Sequence, residues 1–159
     1  MKEAEIYIYS AIHSIRAVDG YGGFILVCKK ADGTDGTMAF CCEMKEATKL
    51  TSEVMLLTQA LSKFRQTCSI KAHLANVQTI TTLQTWMPAW KTAGWKNSKG
   101  EDVSGWYKTL DRYMEGHELT LTAERGPYSS WLETNTDKYQ ERGEKACLIN
   151  LESLTAQKS

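Results

Sequence analysis

Lysines and tryptophans interleave between residues 86 and 99, where Trp90 and Trp95 alternate with Lys91, Lys96 and Lys99. Basic and aromatic side chains in this pattern can hold a phosphate backbone while stacking bases. Trp86, Trp90 and Trp106 fall at helical spacing, which equally suits packing against a core. Glu101 and Asp102 dilute the positive patch. A second group lies on an alternating stretch, where His73 shares a strand face with Lys71 and Ala75 because side chains repeat every second residue. His13 stands just past the end of an earlier alternating segment.

A run of strands followed by alternating helices and strands must position these groups. Residues 4–12 alternate and are rich in Ile and Tyr, as a first strand requires. The segment IRAVDGYGG then reads as a turn, and apolar runs at 23–30 and 36–43 form two more strands. The linker KADGTDG between them has Asp-Gly steps that favour tight hairpin turns, giving a three-stranded meander. From Lys49 to Gln66, Val54, Leu57, Leu61 and Phe64 recur at three- and four-residue spacing, which predicts an amphipathic helix that Thr51 or Ser52 could cap. Residues 68–75 return to strand alternation, and a strand reached through such a helix pairs parallel to an earlier one.

Beyond it, 76–83 reads as a short helix, and Pro88 suits the first turn of another. Residues 103–115 form a helix, 118–124 a fifth strand and 132–144 a last helix, with Gly94 and Gly100 marking loops. The expected architecture is an α/β (α+β mixed sheet) fold: five strands flanked by helices, with a helical protrusion. Residues 1–145 form the domain and 146–159 a C-terminal tail, whose path the sequence leaves open.

A chain of 159 residues has the size of one domain and can bury a substantial core. Nineteen basic and nineteen acidic residues cancel, so attraction to phosphate must come from a local patch. The five cysteines include no CxxC pair and read as reduced, buried thiols. No apolar run is long enough for a membrane span, and the acidic N-terminus lacks a signal-peptide layout, so a cytoplasmic location is expected.

The order of elements, the stretch IYS at 8–10, TSEVMLLTQAL at 51–61 and the handle-like segment at 82–111 resemble the ribonuclease H family, bacterial ribonuclease HI in particular. In the handle, Trp86, Trp90, Lys91, Gly94, Trp95, Lys96, Trp106, Leu110 and Asp111 carry the resemblance. It implies hydrolysis of the RNA strand of RNA–DNA hybrids by two divalent metals held on clustered carboxylates, which clamp the attacking water and the leaving oxygen. Carried onto this chain, the first-strand aspartate becomes Ala11, with Ile12 and His13 after it. The helix glutamate is kept as Glu53, the fourth-strand aspartate becomes Ala75, and the last-helix aspartate corresponds to Asp137. The paired asparagines before the glutamate become Lys49 and Leu50, and RGPYSSW at 125–131 lacks the family's loop histidine.

With two carboxylates missing, the expected reading is a degenerate active site in a pseudoenzyme, with Glu53 and Asp137 as relics and no cofactor unless a residual site takes Mg²⁺ or Mn²⁺. Glu53 also reads as a first-turn residue complementing its own helix dipole, and Asp137 as a solvated helix residue. The leading function is a nucleic-acid-binding or nucleoprotein-binding accessory or inhibitory module, of the kind a mobile element would encode. Its partners would be an RNA–DNA hybrid, a duplex, or a protein complex that handles them. The alternative is an active nuclease with a reorganised metal site built from His13, His73, Glu53 and Asp137, since imidazole suits transition metals better than Mg²⁺. A purely oligomerising domain is a third possibility.

Overall fold

Alternation of Ile6 and Ile8 with Tyr7 and Tyr9 divides the first strand between two buried faces, and this division organises the molecule. The computed structural model describes residues 1–158. Its strands are β1 (Lys2–Ser10), β2 (Val18–Lys29), β3 (Asp35–Ala47), β4 (Cys68–His73), β5 (Glu118–Thr122) and β6 (Cys147–Leu148). The helices are α1 (Lys49–Leu61), α2 (Val77–Thr81), α3 (Met87–Thr92), α4 (Gly105–Met114), α5 (Ser129–Glu141) and α6 (Leu151–Lys158). The strands form one mixed sheet in the order β5-β4-β1-β2-β3-β6, antiparallel within the β1–β3 meander and parallel at β1–β4, β4–β5 and β3–β6.

On one face, Ile6, Ile8, Phe24 and Leu26 pack with Val54, Leu57 and Leu61 of α1 in the larger core cluster. On the other, Tyr7, Ile25 and Val27 pack with Leu132 of α5. Gly23 sets how closely α5 approaches, because an added Cβ there would lie 2.5 Å from Thr136 Oγ1 and 2.8 Å from the Phe40 carbonyl oxygen.

Several details depart from the sequence reading. The stretch VDGYGG belongs to β2 rather than to a turn, since its glycines let neighbouring groups approach the sheet. Helix α1 ends at Leu61 and is capped by Thr48, not Thr51 or Ser52. The Thr48 hydroxyl accepts from the Thr51 amide, and the Thr51 hydroxyl answers the Thr48 amide in a reciprocal capping box. Residues 77–92 run as one helical stretch joined by a wide turn at Thr82–Trp86, where the Met87 amide bonds to the Thr82 carbonyl five residues back. Pro88, in the first turn of α3, can offer no amide to the preceding turn, which accounts for the widened register.

The C-terminal segment docks and adds a sixth strand. β6 pairs with Cys42 and Glu43 of β3, Ile149 and Leu154 are buried in the main core, and the Tyr113 hydroxyl donates to the Leu154 carbonyl at 2.6 Å. Leu154→Ala should therefore lower the unfolding free energy by about 3 kcal/mol, as for other buried leucines. Urea denaturation would measure this, and a change of a few tenths would mean that the segment contributes little.

No helix among the described residues is long and apolar enough to cross a membrane.

Candidate functional site

Gly23 and the β1–β2 pairing bring two phenols against α5. The Tyr9 hydroxyl, from the end of β1, donates to Asp137 Oδ1 at 2.9 Å, and the Tyr21 hydroxyl, from β2, donates to the same oxygen at 3.1 Å. Burial pushes both phenols up from their ordinary range, and the hydrogen bond to Asp137 and its charge act in the same direction. The pair therefore stays protonated and continues to donate. Asp137 is thus neither free nor simply solvated.

The position read from the sequence as the first-strand aspartate, Ala11, falls outside the strand. Ala11 lies beyond the end of β1, and the strand residue that meets Asp137 is Tyr9. The shift of two residues keeps the face unchanged, because strand side chains repeat with period two. A phenol therefore occupies the strand position from which a carboxylate could join Asp137.

Glu53 is 2 % exposed and is turned toward the N-terminus of α2. One carboxylate oxygen accepts from the Ala75 amide at 2.8 Å, and the other accepts from the Asn76 amide at 3.2 Å and the Thr79 hydroxyl at 2.7 Å. Asn76 is the cap of α2, so the carboxylate satisfies amides that open this helix and complements its dipole. The expectation that Glu53 complements its own helix is not met, because α1 has no acidic residue in its first turn. Burial raises the Glu53 carboxyl above its ordinary value and outweighs the three donors and Lys49, which act to lower it.

The imidazole of His73 is committed elsewhere. Its Nε2 lies 2.9 Å from Glu5, its Nδ1 lies 3.0 Å from the Glu124 carbonyl, and its ring stacks on Tyr7 with centroids 4.1 Å apart. His13 is exposed in the loop after β1. The set His13, His73, Glu53 and Asp137 is therefore not assembled, and among the described residues no group of three His, Cys, Asp or Glu side chains could hold a metal ion. A two-metal centre does not fit the side chains present. Tyr9 and Ala75 supply no carboxylate, and Glu53 and Asp137 are each engaged by internal donors.

In the handle-like segment at 82–111, Lys91 is paired with Asp111 of α4 at 2.8 Å and ties α3 to α4. Trp90, Trp95 and Trp106 are partly buried against the main core, and Trp90 meets Tyr107 edge to face. Trp95, read from the sequence as a nucleic-acid contact, therefore packs inward. It lies beyond the end of α3 with a left-handed backbone, φ 65°. Trp86 behaves otherwise. It sits on the wide turn, is 53 % exposed and walls a groove of about 450 Å³ with Ala89, Ala93, Lys96, Asn97 and Ser98. Lys96, which lines that groove, and Lys99 are both exposed.

The functional residues that the sequence reading passed over are Tyr9, Tyr21 and Thr79. Only the period-two phase of β1 signals Tyr9; the other two need the fold.

No protein-family model matches the chain. Curated relatives include the ribonuclease H of Hahella chejuensis, 23 % identical over 150 residues that span 93 % of this chain and 97 % of the relative. The ribonuclease H of Acetivibrio thermocellus is 23 % identical over 141 residues, 87 % of this chain and 92 % of the relative. Among solved structures, LC9-RNase H1, a type 1 RNase H with the type 2 active-site motif, superposes with a TM-score of 0.69 at 11 % identity, covering 92 % of this chain and 75 % of that one. A foamy viral protease-reverse transcriptase in complex with dsDNA superposes with a TM-score of 0.58 at 10 % identity, covering 86 % of this chain and 89 % of that one.

Proposed function

Because the chain is ribonuclease H-like in sequence and in fold, we propose that it is a non-catalytic module that keeps the scaffold to engage nucleic acid, or a nucleoprotein that carries it, in an accessory or inhibitory role. The observation that carries this reading is the closure of the carboxylate centre by the protein's own groups. Tyr9 and Tyr21 hold Asp137, and two amides and a hydroxyl hold Glu53. A centre that must bind two cations cannot spend its carboxylates on internal donors without losing the affinity that charge and ligand number supply.

The surface left for binding is the exposed part of the handle. Trp86 offers an exposed aromatic face with Lys96 in the same groove, and among the described residues neither Lys96 nor Lys99 makes a salt bridge like the one that engages Lys91. Stacking and a few phosphate contacts suit a chain of zero net charge, in which no global field assists association.

Fluorescence anisotropy with labelled RNA–DNA hybrid, duplex DNA and single strands at low salt tests the reading. Binding is expected for at least one of them, and Lys96→Gln with Lys99→Gln should reduce the slope of log affinity against log salt by about two, roughly 0.9 per phosphate contact. No binding to any of these at low salt would remove the nucleic-acid part of the proposal. An inhibitory role would further appear as slower hybrid cleavage by an active ribonuclease H when this chain is added.

A further inference from the structure

We infer that β3 is the contact edge of a symmetric dimer, in which two copies of this chain join their sheets by antiparallel pairing about Met38. The outer side of β3 is covered only in part. Among the described residues β6 pairs with it at Cys42 and Glu43, and the Ile149 amide also reaches the Glu43 carbonyl. From Asp35 to Phe40 no strand lies outside it. Open edges are ordinarily protected by lysine, proline or a bulge, yet the segment Gly36–Cys42, GTMAFCC, contains no charged residue and no proline. The register between β2 and β3 is also regular from Asp35 to Met44, so no bulge turns the edge away.

Exposed apolar side chains gather at the same edge. Met38 is 59 % exposed on the α1 side, Trp131 of α5 is 50 % exposed beside Thr37 and Ala39 on the other side, and Leu148 is exposed on β6. Apolar surface therefore flanks the free strand on both faces, as a continuing sheet would require. A second copy is the occupant that fits. A twofold axis near Met38 sets the two methionines against each other and lays Trp131 of each copy over the other's strand, so one patch serves as both donor and receptor surface.

Sedimentation of the 159-residue chain over a wide concentration range tests this. The mass should rise from 17.9 kDa toward twice that value as concentration increases. Met38→Lys and, separately, Thr37→Pro should hold the chain at the monomer mass with an unchanged circular-dichroism spectrum. Val77→Lys, at an exposed apolar position on α2, should dimerise as the parent does. A parent chain that remains monomeric at every concentration would overturn the proposal and leave the edge for a strand of a different protein. A dimer that survives both edge substitutions would overturn it by placing the contact elsewhere.

Discussion

Glu53→Ala should lower the unfolding free energy by about 2–4 kcal/mol, because it strands two backbone amides and a buried hydroxyl together. The Ala75 and Asn76 amides and the Thr79 hydroxyl all donate to this carboxylate. Their loss should also loosen the start of α2, the element that leads into the handle. Glu53→Gln should cost less, since one amide oxygen can still accept from Asn76 and Thr79 while its NH₂ group faces the Ala75 amide. Chemical denaturation measures both. A Glu53→Ala variant as stable as the parent would mean that the carboxylate is spare and available for other chemistry. The pH dependence carries the same information. Burial raises the Glu53 carboxyl in the folded state, so the folded chain holds more protons than the unfolded chain in the window just above the ordinary glutamate value. Stability should fall as pH rises through that window, and this component should be absent from Glu53→Gln.

Tyr9→Asp combined with Ala75→Asp should make the chain bind divalent metal far more tightly than the parent does. The first substitution removes one phenol from Asp137 and sets a carboxylate beside it, and the second places another at the exposed position after β4, next to the Glu53 carboxylate. Loss of even an outer partner of a metal ligand weakens binding by roughly 10–100-fold, so restoring two ligands should strengthen Mn²⁺ binding at least 100-fold. Calorimetry with Mn²⁺ and Mg²⁺ on the parent, each single variant and the double variant would measure this. If the parent already binds as tightly as the double variant, a metal site exists that the geometry of Glu53 and Asp137 does not account for.

The path from sequence to fold was clear where periodicity was strong. The meander, the amphipathic α1 and the parallel return to β4 follow from spacings of two and of three to four residues. The reading failed where a residue's reason lies elsewhere in the chain. The glycines of VDGYGG suggest a turn locally, but Gly22 and Gly23 sit in β2, where close contacts from Tyr9, Leu56 and Thr136 exclude larger side chains. The tail carries too short a pattern to announce β6, which forms only because β3 leaves Cys42 and Glu43 free to pair.

The candidate site shows the same division. Ala75 is read from the sequence at the end of the fourth strand, whereas Ala11, read as the end of the first, lies past β1, and the strand residue that meets Asp137 is Tyr9. The bonds that close the centre join residues 128 and 116 positions apart at Asp137, and no local pattern encodes them. The handle illustrates a further limit. Interleaved Trp and Lys suggest one binding surface, but packing against the core takes Trp90 and Trp95, Asp111 takes Lys91, and the wide turn ahead of Pro88 leaves Trp86 exposed.

The most direct test of the account follows one labelled RNA–DNA hybrid for both binding and cleavage, in Mg²⁺ and separately in Mn²⁺, with Asp137→Ala as the control for contaminating nuclease. The account predicts that the hybrid is bound and recovered intact, with no cleavage above that control. Cleavage by the parent that disappears in Asp137→Ala would show that the centre held by Tyr9 and Tyr21 opens to metal and works as a nuclease, and would contradict it.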